Sequence, residues 1–223
     1  MNQRCGMARA LDTEKRLDLA QRAVAVFQRD GLSLPAEQLA RALGMKRPTL
    51  LYHFPTYADI VETALIALLT EQAMFVTAEV ERHEHPIDRL FAQLRAVHAF
   101  HHGKEARVVF LTQAIAATSG ARVSEILQRG AAVFESFRRG AADRVREGIA
   151  AGTVAPCDAD ALVDTVRALI DGLMLQRVTG GGPLDAAHEL VWQQLLLPLK
   201  LTPPSRTSIK KPPAKKPGRK VKP

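Results

Sequence analysis

The sequence predicts an all-α protein of about nine helices, with a three-helix N-terminal unit, a larger helical domain and a basic C-terminal tail. Apolar residues recur at helical spacing almost throughout, and the alternation typical of strands is not sustained anywhere. Glycine and proline separate the apolar stretches at intervals suited to helices. From residue 200 onward the apolar pattern stops, and lysine and proline dominate.

The first predicted helix, residues 13–30, has one apolar face and ends at Gly31. The residues of this face follow helical spacing: Leu17, Ala20, Ala23 and Phe27. Two short helices follow, at 35–43 and 48–54. The apolar residues of these two helices are expected to pack against Phe27, which predicts a small three-helix bundle.

A fourth helix is predicted to begin just after Thr56, at residues 58–83. Thr56 is a suitable N-cap, and Asp59 three residues later makes a pattern close to a capping box. The remaining helices are predicted at 86–102, 104–118, 121–151, 158–178 and 183–198. The tail, residues 200–223, has almost nothing apolar to bury and is predicted to be disordered.

Length and composition exclude several classes of protein. The 223 residues are sufficient for a packed core, and no apolar run approaches the roughly 18 residues that cross a bilayer. The first ten residues lack the apolar segment of a secretory signal. Cys5 and Cys157 have neither metal-binding spacing nor the density of a disulfide framework. We therefore expect a cytoplasmic protein with reduced thiols.

The net charge of +8 is unevenly distributed along the chain. Residues 200–223 hold nine basic side chains and no acidic one, whereas residues 1–57 carry a net charge of +4 and residues 58–199 a net charge of −5. Such a distribution favours a polyanionic partner at the two basic parts.

The stretch "GMKRPTLLYHF", Gly44 to Phe54, indicates a tight corner between the second and third helices. Gly44 supplies the positive φ that such a corner needs. Leu50 and Phe54 are expected to face the bundle. The polar, cationic and aromatic residues between them then remain on the outer face and leading edge of the third helix.

This pattern predicts a helix-turn-helix unit, in which the second helix of the motif offers its N-terminal residues to the major groove of DNA. Pro48 suits the first helical position, and the neighbouring cations suit phosphates or guanine edges. The predicted DNA-binding residues are Lys46, Arg47, Pro48, Thr49, Tyr52, His53, Thr56 and Tyr57.

At these residues the sequence resembles the TetR family of bacterial transcriptional regulators. The resemblance covers about Arg16 to Ile60, through "RLDLAQRAVAVFQRDG", "QLARALGM" and "TLLYHFPTYADI". The later stretch "ALIDGLMLQRVTG", Ala168 to Gly180, is similar to the penultimate helix of that family. Tyr57 stands where relatives commonly have a lysine that meets phosphate.

The resemblance implies a homodimeric, ligand-responsive repressor that binds a near-palindromic operator and is released by a small-molecule effector. It implies a DNA-binding domain within residues 1–57 and an effector-binding and dimerisation domain at 58–199. Candidate effector-pocket residues are His98, Phe110, Phe134, Asp171 and Met174. Candidate dimer-interface residues on the last two helices are Leu162, Ala168, Leu173, Trp192 and Leu195.

His98, His101 and His102 form a cluster that has two interpretations. They lie at i, i+3 and i+4 on one helical face, a spacing that can hold zinc, with Glu105 further on. Histidines are also favoured in the last turn before a cap such as Gly103. Without cysteine or a clear fourth ligand, we expect no metal and no cofactor.

The sequence leaves two other functions to compare with a ligand-responsive regulator. The lysine-rich tail is either a solvated extension or a non-specific DNA arm, and in the second case the protein could be architectural, without effector control. An enzyme is the third possibility. The sequence shows no nucleophile–base pair or phosphate-binding loop, so we expect no enzymatic activity.

Overall fold

The computed structural model describes residues 2–117 and 121–201, with side chains at 13–114 and 135–201. In these ranges the fold is all-α, as predicted, with nine α-helices. Their bounds are α1 (Asn2–Asp30), α2 (Ala36–Ala42), α3 (Arg47–His53), α4 (Tyr57–Val80), α5 (Pro86–His101), α6 (Ala106–Ala117), α7 (Ala121–Ala150), α8 (Ala159–Gly180) and α9 (Asp185–Leu190). The tail was predicted to be disordered over residues 200–223. Of these, residues 202–223 lie outside the described ranges.

Most predicted helix ends lie within three residues of the observed ones, and the first and last helices differ more. α1 begins at Asn2 rather than at residue 13, because the residues before position 13 are mostly good helix formers without proline. The last helix changes its winding after Leu190, continuing as a π-helix over Val191–Leu196 and a 3₁₀ turn over Leu197–Leu199. Pro198 accounts for the end of regular winding, because its ring cannot follow a normal α-turn.

The first of two hydrophobic cores joins the three N-terminal helices to α4 and α6. Phe27 of α1 stacks on Phe110 of α6, with ring centroids 5.8 Å apart, and meets the ring of Tyr57 edge-on at 5.9 Å. Leu50 and Phe54 of α3 are fully buried in the same core. The core therefore runs across the domain boundary predicted at residues 57 and 58.

The second core lies among α5, α7, α8 and the π-helical segment. Its fully or almost fully buried members include Ile87, Leu94, Val145, Ile170 and Leu196. This core holds together the segments that carry the predicted effector and dimer residues other than Phe110, which belongs to the first core.

α4 departs from the expectation that no segment suits a bilayer. Among the described residues it is the one helix that is long and apolar enough to cross a membrane by length and composition alone. Its first three turns are buried in the core, through residues such as Ile60, Ala64 and Leu68. Core packing therefore accounts for their apolar composition.

The C-terminal end of the described chain is fixed against the loop between α7 and α8. Lys200 and Val154 form an isolated antiparallel bridge, and the Leu201 N–H donates to the Thr153 carbonyl at 2.8 Å. The Lys200 ammonium group also contacts both carboxylate oxygens of Asp88, at 2.8 Å. Ordered structure thus extends past residue 199, the predicted end of the helical domain.

Candidate nucleic-acid interface

The corner between α2 and α3 is built from backbone hydrogen bonds around Gly44. Gly44 has a φ of +74°, as the sequence predicts for this corner. The Gly44 N–H donates to the Arg41 carbonyl at 3.0 Å, and the Met45 N–H donates to the Ala40 carbonyl at 2.9 Å. This pair of bonds is the Schellman arrangement, which satisfies carbonyls at a helix C-terminus.

Two arginines of α1 contact the helix-turn-helix unit formed by α2 and α3. The Arg22 guanidinium donates to the Leu43 carbonyl at 2.6 Å, which satisfies another carbonyl at the end of α2. The Arg16 guanidinium lies 5.3 Å from the centroid of the buried Phe54 ring. Both contacts fix α2 and α3 relative to α1, and neither was evident from the sequence, because each joins residues at least 21 positions apart.

The outer edge of α3 collects the predicted DNA-binding residues. Lys46, Arg47, Pro48 and Thr49 are exposed, and the aromatic side chain of Tyr52 is also exposed, at 79%. The half-buried His53 ring meets the Tyr52 ring edge-on, with centroids 5.2 Å apart. Two cations, a hydroxyl and an aromatic ring thus share one continuous surface, which we call the reading face.

Thr56 lies beside the reading face but is occupied in capping α4. Its hydroxyl accepts from the Asp59 N–H at 3.2 Å, and the Thr56 N–H donates to the Asp59 carboxylate at 2.8 Å. The predicted capping box is therefore present. The Thr56 hydroxyl also donates to Asp59 at 2.7 Å, so its polar atoms are committed within the protein.

Tyr57 is turned toward the protein interior. Its hydroxyl donates to the Leu32 carbonyl at 3.0 Å, and burial raises the pKa of Tyr57 to about 12. Its ring packs against the first core and meets the Phe27 ring edge-on. Because its hydroxyl is already bonded, we do not include Tyr57 in the reading face.

The predicted effector-pocket residues with described side chains lie in different parts of the fold. Phe110 belongs to the first core, against Phe27, and therefore connects α6 to α1. Met174 packs at the edge of the second core. Asp171 is exposed and forms an ion pair with Arg167, four residues earlier on α8, at 2.8 Å. The Phe134 side chain lies outside the described residues.

His98 is buried and joins three helices. One of its ring nitrogens lies 2.7 Å from a nitrogen of His188, and the other lies 2.9 Å from the Ile170 carbonyl. The two imidazole rings are stacked, with centroids 5.0 Å apart. Burial is the main cause that lowers the pKa of His98, and it lowers that of His188 to about 4. Both rings are therefore neutral near pH 7.

The three clustered histidines have different partners. His101 is buried and bonds to the Gln72 side chain at 2.9 Å, whereas His102 contacts Arg177. Burial lowers the pKa of His101 to about 4. Within the described ranges, three or more histidine, cysteine or acidic side chains do not come together as a metal site.

A cleft of about 100 Å³ lies between α1, α4 and α6, away from the predicted pocket residues. Gln21 and Gln28 line it from α1, Glu71 from α4 and Arg107 from α6. Of the predicted effector-pocket residues whose side chains the structure describes, His98, Phe110, Asp171 and Met174, none lines this cleft.

The predicted dimer-interface residues differ in how far they are buried. Leu162 is buried in the second core, so its side chain is not available to a partner. Ala168 is exposed, whereas Leu173, Trp192 and Leu195 are half-buried. The two most exposed leucines of these helices, Leu175 and Leu190, at 53% and 63%, are not among the residues predicted from the sequence.

Comparisons with known proteins identify the fold. No protein-family model and no curated protein matches the chain. The solved structures that match include the ketosteroid transcriptional regulator KstR2 of Mycobacterium tuberculosis, with a TM-score of 0.59 and 23% identity over 84% of this chain and 96% of that one. They include the TetR-family regulator PfmR of Thermus thermophilus, with a TM-score of 0.64 and 18% identity over 79% and 98%.

A third solved structure, AibR in complex with isovaleryl coenzyme A and operator DNA, has a TM-score of 0.57. Its identity is 15% over 76% of this chain and 89% of that chain. The chain thus has the fold of TetR-type transcriptional regulators, and the resemblance seen in the sequence is confirmed at the level of the fold.

Proposed function

We propose that this protein is a ligand-responsive transcriptional repressor that binds a near-palindromic DNA operator as a homodimer in the cytoplasm. The observation that carries the proposal is the reading face. Lys46, Arg47, Thr49 and Tyr52 are exposed together on a helix whose other side is fixed in the core by Leu50 and Phe54. A rigid helix with cations at its N-terminal end suits the major groove.

Dimerisation would place two reading faces in successive major grooves, roughly 34–36 Å apart. The exposed apolar side chains of α8 and α9 support a self-complementary surface for this purpose. With Leu162 inside the core, the surface we propose is centred on Ala168, Leu175 and Leu190.

Effector control is proposed to act through two connections between the helical body and the three N-terminal helices. The first is α4, which begins at the capped Thr56 directly after the reading helix. The second is the stacked pair Phe27–Phe110, which joins α6 to α1. An effector that binds better when these helices are displaced needs a differential of about 1–3 kcal/mol to change operator affinity roughly 5–150-fold.

The fold comparisons support DNA and effector partners in general terms. The AibR structure holds both operator DNA and an acyl-coenzyme A ligand within the same fold. The absence of a recognisable catalytic arrangement in the sequence supports a regulator rather than an enzyme.

The test is a selection of binding sites from fragmented genomic DNA with purified protein at two salt concentrations. We expect a palindromic consensus that persists at the higher salt. The double variant Arg47→Ala, Tyr52→Ala should lose the consensus, because it removes a cation and the exposed ring of the reading face.

The matched control is Arg29→Ala, since Arg29 is an exposed cation of α1 whose partner is the adjacent Asp30. Recovery of the same consensus with the folded double variant would overturn the proposed function.

A further inference from the structure

The cleft between α1, α4 and α6 has both apolar and polar lining. Val24 of α1 and Leu68 of α4 are buried parts of it, whereas the exposed Gln21 and the half-buried Gln28 line it from the same face of α1. Its volume of about 100 Å³ is well below the roughly 300–1,000 Å³ of pockets that hold drug-sized ligands. The cleft therefore suits a molecule of few atoms that is partly apolar and partly polar.

Arg107 lines the cleft with unused hydrogen-bonding capacity. Its side chain is 15% exposed, and its guanidinium carbon lies 4.8 Å from the centroid of the Phe100 ring, which holds the group in place. Among the described residues, its buried Nη1 atom has no hydrogen-bond partner. Its Nη2 atom lies 3.6 Å from Glu71 Oε1, too far for a hydrogen bond. Because unpaired donors on a buried charge are costly, this guanidinium is a suitable partner for a carboxylate.

Glu71 determines which charged molecules the cleft favours. Within the described lining, Glu71 and Arg107 are the charged residues, and they stand side by side with opposite charges. A simple anion at Arg107 would be repelled by Glu71, and a simple cation at Glu71 would be repelled by Arg107. A molecule with neighbouring carboxylate and ammonium groups meets an opposite charge at both positions. The lining therefore favours a zwitterion over either ion alone.

From this arrangement we infer that the cleft binds a small aliphatic α-amino acid. Arg107 holds its carboxylate, Glu71 holds its ammonium group, and its side chain meets the apolar lining at Val24 and Leu68. The site is separate from the effector pocket predicted from the sequence.

The use of this cleft as an effector site rests on the proposed function. α1 forms one wall of the cleft, and Arg22 of the same helix donates to the Leu43 carbonyl at the end of α2. Val24 also lies one turn before Phe27, the residue that joins α1 to α6. A ligand that displaces α1 would therefore change the position of the reading face.

Calorimetric titration of the full chain at pH 7 tests the site. We expect saturable binding of L-alanine, L-serine or L-valine. Propionate lacks the ammonium group and L-alaninamide lacks the carboxylate. Each should bind at least about tenfold more weakly than L-alanine, because a hydrogen bond to a charged group contributes roughly this factor or more.

Two variants assign the charged groups of the ligand to their partners. Glu71→Gln should weaken L-alanine at least tenfold and should make propionate bind as tightly as L-alanine or more tightly, because the repulsion is gone. Arg107→Gln should weaken both. Glu71 is 55% exposed, so its variant keeps the fold even if Arg107→Gln is unstable. The control is Arg82→Gln, which breaks the exposed pair with Glu79 and should leave binding unchanged.

Three results would overturn the inference. The first is the absence of saturable binding of all three amino acids, which would mean that the cleft holds solvent only. The second is binding of propionate or L-alaninamide as tightly as L-alanine to the parent chain. The third is unchanged amino-acid binding in the folded Glu71→Gln variant.

Binding of the selected duplex separates this site from the proposed function. Saturating L-alanine should change the affinity for that duplex at least about fivefold. Amino-acid binding with an unchanged duplex affinity would overturn the effector role of the cleft. Amino-acid binding by a chain that selects no consensus would remove the regulator alone, and a consensus without amino-acid binding would remove the site alone.

Discussion

At the scale of single residues, Tyr52 and Tyr57 show how neighbouring aromatic side chains acquire different tasks. Tyr52 projects from the reading helix and is 79% exposed, whereas Tyr57 lies five residues later with its hydroxyl on the Leu32 carbonyl. The difference follows from their positions on either side of the capped start of α4. One tyrosine is available to a partner, and the other fastens α4 to the loop that follows α1.

Tyr57→Phe should lower the free energy of unfolding by about 1 kcal/mol, because it removes one hydrogen bond and keeps the ring. The raised pKa of Tyr57 means that the folded state favours the protonated phenol. Its contribution is therefore complete below pH 10 and is lost as the pH rises toward 12. Urea unfolding at pH 7 and between pH 10 and 12 measures both effects.

The control for this substitution is Tyr52→Phe, which should change stability by less than 0.5 kcal/mol because the side chain is exposed. If Tyr52→Phe destabilised the protein as much as Tyr57→Phe, the loss could not be attributed to the hydrogen bond from Tyr57 to the Leu32 carbonyl.

His188 supports a second prediction at this scale, concerning acid. The pKa of His188 is lowered by burial first and then by His98, Arg95 and Arg177, while Asp185 acts in the opposite direction. The folded protein therefore binds fewer protons than the unfolded chain. Stability should be complete above pH 6.5 and decline as the pH falls toward 4.

The variant His188→Gln should weaken this decline, because glutamine does not titrate and can still donate to His98. Unfolding by urea at several pH values between 7 and 4 measures it. His83→Gln, at an exposed histidine, should leave the decline unchanged. If the stability of His188→Gln fell with pH as steeply as that of the parent chain, His188 would not be a cause of the decline.

At the scale of elements, the corner at Gly44 determines where the reading helix points. A Cβ at Gly44 would meet nothing within 4 Å, so the cost of a larger residue arises from the φ of +74° alone. Gly44→Ala should therefore destabilise the protein by about 1–2 kcal/mol. Gly44→Asn should cost less, because asparagine tolerates this conformation better.

Thermal or urea unfolding of the two variants measures that difference. Gly140→Ala is the matched control, since Gly140 lies within α7 at a negative φ and should gain about 0.5–1 kcal/mol. Equal effects at the two glycines would show that backbone conformation at the corner is unimportant.

Much of the element structure was predictable because it depends on local chemistry. The Gly44 corner, the Thr56–Asp59 capping box and the buried faces of α3 follow from residues close together in the chain. Contacts between distant residues were not predictable in this way. The Arg22–Leu43 bond and the His98–His188 pair join positions 21 and 90 residues apart, and helical spacing carries no information about such partners.

The same limit explains why the sequence could not distinguish buried from exposed side chains among the candidate site residues. A buried leucine and an exposed one look alike in an apolar stripe, so the sequence selected Leu162, which is buried, and did not select Leu175, which is exposed. Phe110 was predicted in a pocket because aromatic residues often line cavities, yet its neighbour is Phe27 of the N-terminal unit.

At the scale of the whole molecule, the proposed dimer can be tested through the exposed face of α8. Leu175→Glu should weaken self-association at least tenfold, because it places a charge at the centre of an apolar surface. Sedimentation measurements over a range of concentrations give the association constant. Met74→Glu is the control, since Met74 is 70% exposed on α4 and should leave association unchanged.

The shared first core has a practical consequence for building hybrid regulators. The three N-terminal helices obtain part of their hydrophobic interior from Ile60, Ala64 and Leu68 of α4 and from Phe110 of α6. A fragment cut at residue 57 would leave Phe27 and its neighbours facing water. A hybrid protein that carries these three helices would therefore need apolar side chains equivalent to those that α4 and α6 supply here.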